Sequence, residues 1–150
     1  MIENKGQFGF PGLEVKGITI HNTGNELSAA ENYAIMEHSS DSRGTHYFVD
    51  EFEVIQAMPL DWCVYHTGMA KDWACQHTIA IEICRSQSDL QTYLKAERRA
   101  VNLVKQLLRQ YGLNKRAVYF HRDFNPKTYC PHRIFEEYTT KKDWKARYWR

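Results

Sequence analysis

The chain has 150 residues, enough for one domain with a sizeable core and too few for two domains of ordinary size. Hydrophobic residues make up 43% and charged residues 25%, a balance that excludes an extended disordered segment. The net charge of +2 is too small to indicate a nucleic-acid partner, and the absence of any run of about 18 apolar residues excludes a membrane-spanning helix.

The N-terminal third predicts a strand followed by a helix. Residues 15–21 alternate apolar and polar side chains, which predicts a first strand that ends at His21. Ser28 followed three positions later by Glu31 is a capping-box pattern, which predicts a helix from there to about Glu37.

The middle of the chain is rich in β-forming residues. Residues 45–50 and 53–57 are joined by a short polar turn and predict a hairpin, and residues 62–66 predict a short strand. Residues 78–84 give the clearest strand, with three isoleucines on one face and Ala80, Glu82 and Cys84 on the other.

The C-terminal third begins with the clearest helix. Residues 90–111 have helical periodicity and are followed by Gly112, a typical C-terminal stop. Residues 117–121 predict a buried strand that, like the first strand, ends on a histidine. Pro131 suits the first position of a helix and would make Cys130 its N-cap residue.

These elements predict the fold class. Residues 141–150 alternate basic and aromatic side chains, which favours a closing helix with one apolar side. Strands and helices in mixed order around one sheet predict a single three-layer α/β domain over residues 1–150, with a central mixed β-sheet flanked by helices.

The strand-end histidines raise a functional hypothesis. If the two strands are neighbours, His21 and His121 lie at one edge of the sheet, and Cys130 can return to that edge through the following loop. Two imidazoles and one thiolate suit Zn²⁺, and three protein ligands leave the fourth position open, as in catalytic sites.

Other interpretations of these residues stay open at this point. A strand-end histidine can be an ordinary hydrogen-bonded residue, and a single cysteine can be a small core side chain. A metal-free Cys-His hydrolase would use the same residue types. Glu82 interrupts an apolar strand, which fits either an ion pair or an exposed strand edge, or else a general base beside a metal.

Several stretches together resemble the zinc-dependent N-acetylmuramoyl-L-alanine amidases, the family shared by phage endolysins and peptidoglycan recognition proteins. The likeness covers roughly residues 15 to 135 in unbroken order and is nearest to endolysin catalytic domains of phages of Gram-positive bacteria. The stretches that carry it are ITIHNTG at 18–24, THYFVDEFEVIQ at 45–56, AIEICRS at 80–86, KAERRAVNLVKQLL at 95–108 and YCPHR at 129–133.

The resemblance implies roles for particular residues. It implies zinc ligation by His21, His121 and Cys130, with Glu82 as the catalytic proton carrier. The implied reaction is hydrolysis of the amide between N-acetylmuramic acid and L-alanine of peptidoglycan. Some relatives have a tyrosine and a lysine where this chain has Thr45 and Thr128, so those two roles are absent or, for the lysine, Lys127 has taken over.

The resemblance also implies substrate contacts and a setting. We expect His66, Thr128, Lys127 and His46 to lie near the muropeptide substrate. A binding module of the same fold that does not cut is the alternative, although recognition-only relatives typically lose the cysteine ligand. We expect a monomeric catalytic domain with no wall-binding domain, no nucleic-acid partner and no stable membrane association.

The N-terminal sequence and the cysteines predict the compartment in which the chain is made. The N-terminal sequence MIENKGQFGFPG lacks a basic segment followed by an apolar one, so we expect synthesis in a cytosol without a secretory signal. The four cysteines have no disulfide-framework spacing, which suits reduced thiols. We then expect the chain to act on the cell wall after its release from the cytosol, as a phage endolysin does.

Overall fold

A computed structural model describes residues 1–69 and 71–150 of the chain. Its strands are β1 (Gly9–Pro11), β2 (Gly17–Asn22), β3 (Tyr47–Val49), β4 (Val54–Gln56), β5 (Trp62–Val64), β6 (Thr78–Ile83) and β7 (Val118–Phe120). Its α-helices are α1 (Ala29–His38), α2 (Trp73–His77), α3 (Leu90–Gln110), α4 (His121–Phe124), α5 (His132–Glu137) and α6 (Lys141–Tyr148), with 3-10 turns at Lys5–Gln7 and Lys115–Ala117.

The central sheet has five strands in the order β4-β3-β6-β2-β7. Strands β3, β6, β2 and β7 run parallel, and β4 closes one edge antiparallel to β3, which confirms the predicted hairpin. The predicted central mixed sheet is confirmed, but β5 lies outside it and pairs with β1 in a separate two-stranded sheet. Periodicity can indicate a strand but not the strand with which it pairs. The N-terminal segment that forms β1 has no alternating pattern that would predict a strand.

Each face of the central sheet has its own apolar layer. The isoleucines of β6 pack with the apolar stripe of α3 and with Trp144 of α6, which is fully buried. The opposite face packs against α1 and the small sheet through a second cluster that contains Phe48 and Cys84. The three-layer α/β architecture is therefore confirmed, and the alternation along β6 decides which side chains enter which layer.

Local signals set most of the helix ends. The capping box is formed as predicted, since Glu31 N–H donates to Ser28 Oγ at 3.2 Å and Ser28 N–H donates to Glu31 Oε2 at 2.8 Å. Gly112 follows α3 with a φ of +64°, a left-handed conformation that glycine adopts without strain. The amphipathic pattern of residues 90–111 thus predicts both the helix and its end.

Two boundaries near the predicted metal ligands differ from expectation. His121 begins α4 instead of ending a strand, because the Asp123 carboxylate accepts the Phe120 N–H at 2.7 Å and starts a helical turn there. Helix α5 begins at His132 with Pro131 as its N-cap, so the prediction of Cys130 as the N-cap is wrong by one residue.

Two further properties bear on the predictions about membrane-spanning helices and about the cysteines. Across residues 1–69 and 71–150, no helix combines the length and apolar character needed to cross a membrane. The four cysteines, at positions 63, 75, 84 and 130, are free in the described structure, as their spacing predicts.

Candidate metal centre and cleft

The sheet order brings three polar side chains to one edge. Strand β2 lies between β6 and β7, and its His21 is paired in register with Glu82 of β6. Register partners on neighbouring parallel strands are about 4.8 Å apart and point to the same face. His121 follows directly after β7, and its ring centroid lies 4.7 Å from that of His21. The carboxyl ends of three adjacent strands therefore form the floor of one cleft.

Asn22 brings Cys130 to this edge from the loop between α4 and α5. The Asn22 backbone N–H donates to Cys130 Sγ at 3.4 Å. Its side-chain Oδ1 accepts the backbone N–H of Arg133 at 3.0 Å and of Ile134 at 3.4 Å, which ties the start of α5 to the end of β2. The sequence-based reasoning missed Asn22, and its place directly after the strand-end histidine is the only signal that could have indicated it.

The donor atoms of His21, His121 and Cys130 form a compact set. They all lie within 4.8 Å of one another, and His21 Nδ1 is 3.6 Å from Cys130 Sγ. A tetrahedral zinc ion about 2.0 Å from nitrogen and about 2.3 Å from sulfur separates such a pair by about 3.5 Å. The residues present therefore fit Zn²⁺ in both chemistry and spacing, and the predicted ligands do come together.

The protonation states of the histidines suit metal ligands, and that of the cysteine does not suit a free nucleophile. Burial, with help from the neighbouring His66 and His121, holds the pKa of His21 well below its ordinary value. Burial also lowers the pKa of His121, so both rings are neutral near pH 7. Burial raises the pKa of the Cys130 thiol, with Glu82 adding to the effect. A metal-free Cys-His hydrolase needs a lowered thiol pKa, so this site does not favour that alternative.

Glu82 stands beside the donor set with an unused oxygen. Its Oε2 is buried and has no hydrogen-bond partner among the described residues. Burial raises the pKa of Glu82 to about 8, and the positive charge of Arg43 opposes that rise. A cation bound at the neighbouring donors would lower this pKa further toward its ordinary value. An orphaned buried carboxylate next to metal-type donors fits a site that takes a metal and a water molecule.

The cleft above these residues has a volume of about 560 Å³. Arg43 stands on its rim, with a side chain that is 75% exposed and paired with Asp41 at 2.8 Å. Sequence reasoning missed Arg43, because nothing in its local pattern separates it from an ordinary surface arginine. The lining residues are His21, Asn22, Thr23, Asn32, Ile35, Met36, Ser39, Asp41, Arg43, Gly44, Thr45, Phe48, His66, Thr67, Gly68, Glu82, His121, Asn125, Thr128 and Cys130.

The two threonines at the divergent positions have structural partners. Thr45 is buried, and its hydroxyl donates to the Ala80 carbonyl at 3.0 Å. Thr128 Oγ1 accepts the Cys130 N–H at 3.2 Å and so shapes the turn just before the cysteine. Both residues line the cleft, whereas the exposed Lys127 is not among its lining residues. A threonine hydroxyl cannot supply the phenol or ammonium found in some relatives.

Both histidines predicted to contact substrate are buried. His46 has no exposed surface, its Nδ1 accepts the Ala80 N–H at 3.0 Å, and its Nε2 lies 2.8 Å from the Trp62 carbonyl. Both ring nitrogens are thus occupied within the fold, which favours a packing role for His46 over the predicted substrate contact. His66 is only 6% exposed at the cleft wall, and its Nδ1 lies 3.0 Å from His21 Nε2.

Known proteins resemble this chain over most of its length. The family model described as N-acetylmuramoyl-L-alanine amidase matches residues 11–133. The chain is 40% identical over 126 residues to N-acetylmuramoyl-L-alanine amidase CwlA of Bacillus subtilis (strain 168), covering 83% of this chain and 46% of that protein. It is 41% identical over 126 residues to XlyB of the same organism, covering 83% and 39%.

Solved structures resemble it as well. The structure of PlyL superposes with a TM-score of 0.84 at 29% identity, covering 91% of this chain and 86% of that one. The chain thus spans most of this solved structure but less than half the length of the curated relatives CwlA and XlyB.

Proposed function

Because this chain belongs to the N-acetylmuramoyl-L-alanine amidase family by its match over residues 11–133, we propose that it hydrolyses the amide bond between N-acetylmuramic acid and L-alanine in bacterial peptidoglycan. The observation that carries the proposal is the cluster of His21, His121 and Cys130, whose donor atoms lie within 4.8 Å of one another at the floor of an open cleft. These donors stand beside a carboxylate with a free oxygen, which is the residue set that a zinc hydrolase needs.

The cofactor proposed for this site is Zn²⁺, held by His21, His121 and Cys130. Zn²⁺ bound by these donors supplies Lewis acidity, which acidifies water and polarises a carbonyl oxygen. The protein's own contribution is to hold the two imidazoles neutral and to aim the Asn22 N–H at the thiolate sulfur. A non-catalytic binding module of the same fold is disfavoured, because all three donors are present.

Glu82 is the proposed proton carrier. Its Oε2 is free to accept a proton from the attacking water and to pass it to the amine of the departing L-alanine. Glu82 lines the cleft and is in register with His21, so its carboxylate stands beside the donor set. This chain has Thr45 and Thr128 in place of the phenol and the ammonium of some relatives, and the register of Glu82 with His21 supports Glu82 as the acid in that role.

The remaining substrate contacts are proposed at the cleft rim. Thr128 lines the cleft and Lys127 is exposed one residue away on the same turn, which supports contact of both with the glycan or the stem peptide. The substrate would be a muropeptide or intact peptidoglycan, acted on by a monomer that has no nucleic-acid partner and no stable membrane association. We propose that the chain acts on the cell wall after its release from the cytosol, as a phage endolysin does.

Mass spectrometry of digested peptidoglycan tests which bond is cut. We expect soluble peptides that begin with a free L-alanine amine, together with glycan strands that keep their lactyl groups and gain no new reducing ends. New reducing ends would indicate a glycosidase, cuts within the peptide would indicate a peptidase, and intact peptidoglycan would indicate a binding module. Any of these three results would refute the proposed amidase activity.

A further inference from the structure

His66 and Thr67 lie behind the two histidines of the donor set. His66 Nδ1 is 3.0 Å from His21 Nε2, and the two rings meet edge to face with an interplanar angle of 87°. The next carbonyl oxygen, Thr67 O, is 2.9 Å from His121 Nε2. One dipeptide after β5 therefore contacts the far nitrogen of both imidazoles.

The proton positions in this network follow from groups that can only accept. Thr67 O is a carbonyl oxygen, so His121 must carry its proton on Nε2, which leaves its Nδ1 bare. His66 Nε2 lies 3.3 Å from the Ala74 carbonyl oxygen and must therefore be the protonated nitrogen of that ring. Its Nδ1 is then a bare acceptor, and His21 must donate to it from Nε2.

The hydroxyl groups behind His66 agree with this assignment. Thr78 Oγ1 donates to the Ala74 carbonyl at 2.7 Å, which uses its only proton. It therefore accepts from Thr19 Oγ1 at 2.8 Å and, at 3.2 Å, shares the single proton of His66 Nε2 with the Ala74 carbonyl. The chain of donors runs in one direction and leaves His21 Nδ1, the nitrogen 3.6 Å from Cys130 Sγ, without a proton.

We propose that His66 is a positioning residue that fixes the tautomer and the ring orientation of His21, so that the bare Nδ1 faces the metal position. This inference rests on the metal site of the proposed function and replaces the substrate contact predicted for His66. Histidine ligands commonly donate their second N–H to a carboxylate or carbonyl, as His121 does here to Thr67 O. His21 differs in that its acceptor is a replaceable side chain.

Two variants of nearly equal shape separate this role from simple packing. Asparagine places Oδ1 two bonds beyond Cβ, where histidine has Nδ1, so His66→Asn keeps an acceptor for His21. Leucine has a similar shape and no acceptor, so His66→Leu removes it. We expect His66→Leu to weaken zinc binding by about 10- to 100-fold, measured by competition with a chromophoric chelator, while His66→Asn stays close to the native affinity. Equal zinc affinity in the two variants, whether high or low, would overturn the proposal.

A second readout does not need the metal. Long-range ¹H–¹⁵N NMR of the metal-free native chain reports the tautomer of each histidine ring. We expect His21 as the Nε2–H tautomer in the native chain and in His66→Asn, and loss of that preference in His66→Leu. An Nδ1–H tautomer of His21 in the native chain would overturn the proposal. A native chain that shows the expected tautomer but binds no zinc would instead overturn the metal site of the proposed function.

Discussion

Removal of metal by a chelator is expected to lower the amidase rate by about 10³-fold or more. The Lewis acidity of such an ion contributes several kcal/mol to transition-state stabilisation, and each 1.36 kcal/mol is a factor of about ten in rate. Thr45 and Thr128 line the cleft where some relatives have a phenol and an ammonium, and a threonine hydroxyl does not replace that contribution. The measurement is clearing of a peptidoglycan suspension before and after chelation.

The choice of ion supplies the control for this experiment. Activity should return with Zn²⁺ and should not return with Mg²⁺ or Ca²⁺, because hard cations prefer oxygen ligands over two imidazoles and a thiolate. Circular dichroism of the chelated protein should keep its helical signal, since the apolar layers on α3 and β6 lie away from the donor set. Full activity in a chelated chain shown to be free of metal would contradict the account.

The variant Glu82→Gln is expected to lose roughly 10²- to 10⁴-fold in rate while it keeps its zinc. Glutamine has nearly the same shape as glutamate but cannot accept the proton of the attacking water. Because Glu82 is not in the donor set, the metal content should stay at about one ion per chain. Rate and zinc content measured on the same preparation separate proton transfer from metal binding.

The chain offers a matched control in Glu97, a second glutamate whose carboxylate oxygens are buried. Glu97 of α3 is fully buried on the opposite side of the sheet, where its carboxylate accepts from Trp144 Nε1 at 2.6 Å and from Tyr148 Oη at 2.9 Å. Burial raises its pKa as well, so the two carboxylates share this shift although only that of Glu82 stands beside the donor set. Below its unfolding temperature, Glu97→Gln should keep its rate. Full activity in Glu82→Gln, or an equal loss in both variants, would refute the role of Glu82.

Residues with a strong local pattern could be placed from the sequence. The stripe of apolar residues in 90–111 predicts α3, and Gly112 predicts its end, because burial of one helix face and the conformational freedom of glycine are local requirements. The alternation in 78–84 places Glu82 on the face opposite the isoleucines, which is where the cleft lies. His21 and His121 could be placed because each directly follows or ends a recognisable strand.

Contacts that depend on tertiary packing could not be placed. Strand β1 pairs with β5, which lies about 50 residues further along the chain. Neither segment has a local sequence pattern that indicates this pairing. Thr67 acts through a backbone carbonyl, which any residue type supplies, so its contact with His121 leaves no sequence signal. His46 and His66 look alike as strand-adjacent histidines, and only the fold shows that His46 is fully buried with both nitrogens bound while His66 lies beside His21.

Zinc K-edge X-ray absorption of the protein loaded with one equivalent of Zn²⁺ tests the proposed metal centre most directly. The account predicts one sulfur at about 2.3 Å and two imidazole nitrogens at about 2.0 Å, with the sulfur contribution lost in Cys130→Ser. The chain has four cysteines, so the number of sulfur neighbours is informative. A zinc environment with no sulfur, or with a sulfur that persists in Cys130→Ser, would contradict the site formed by His21, His121 and Cys130.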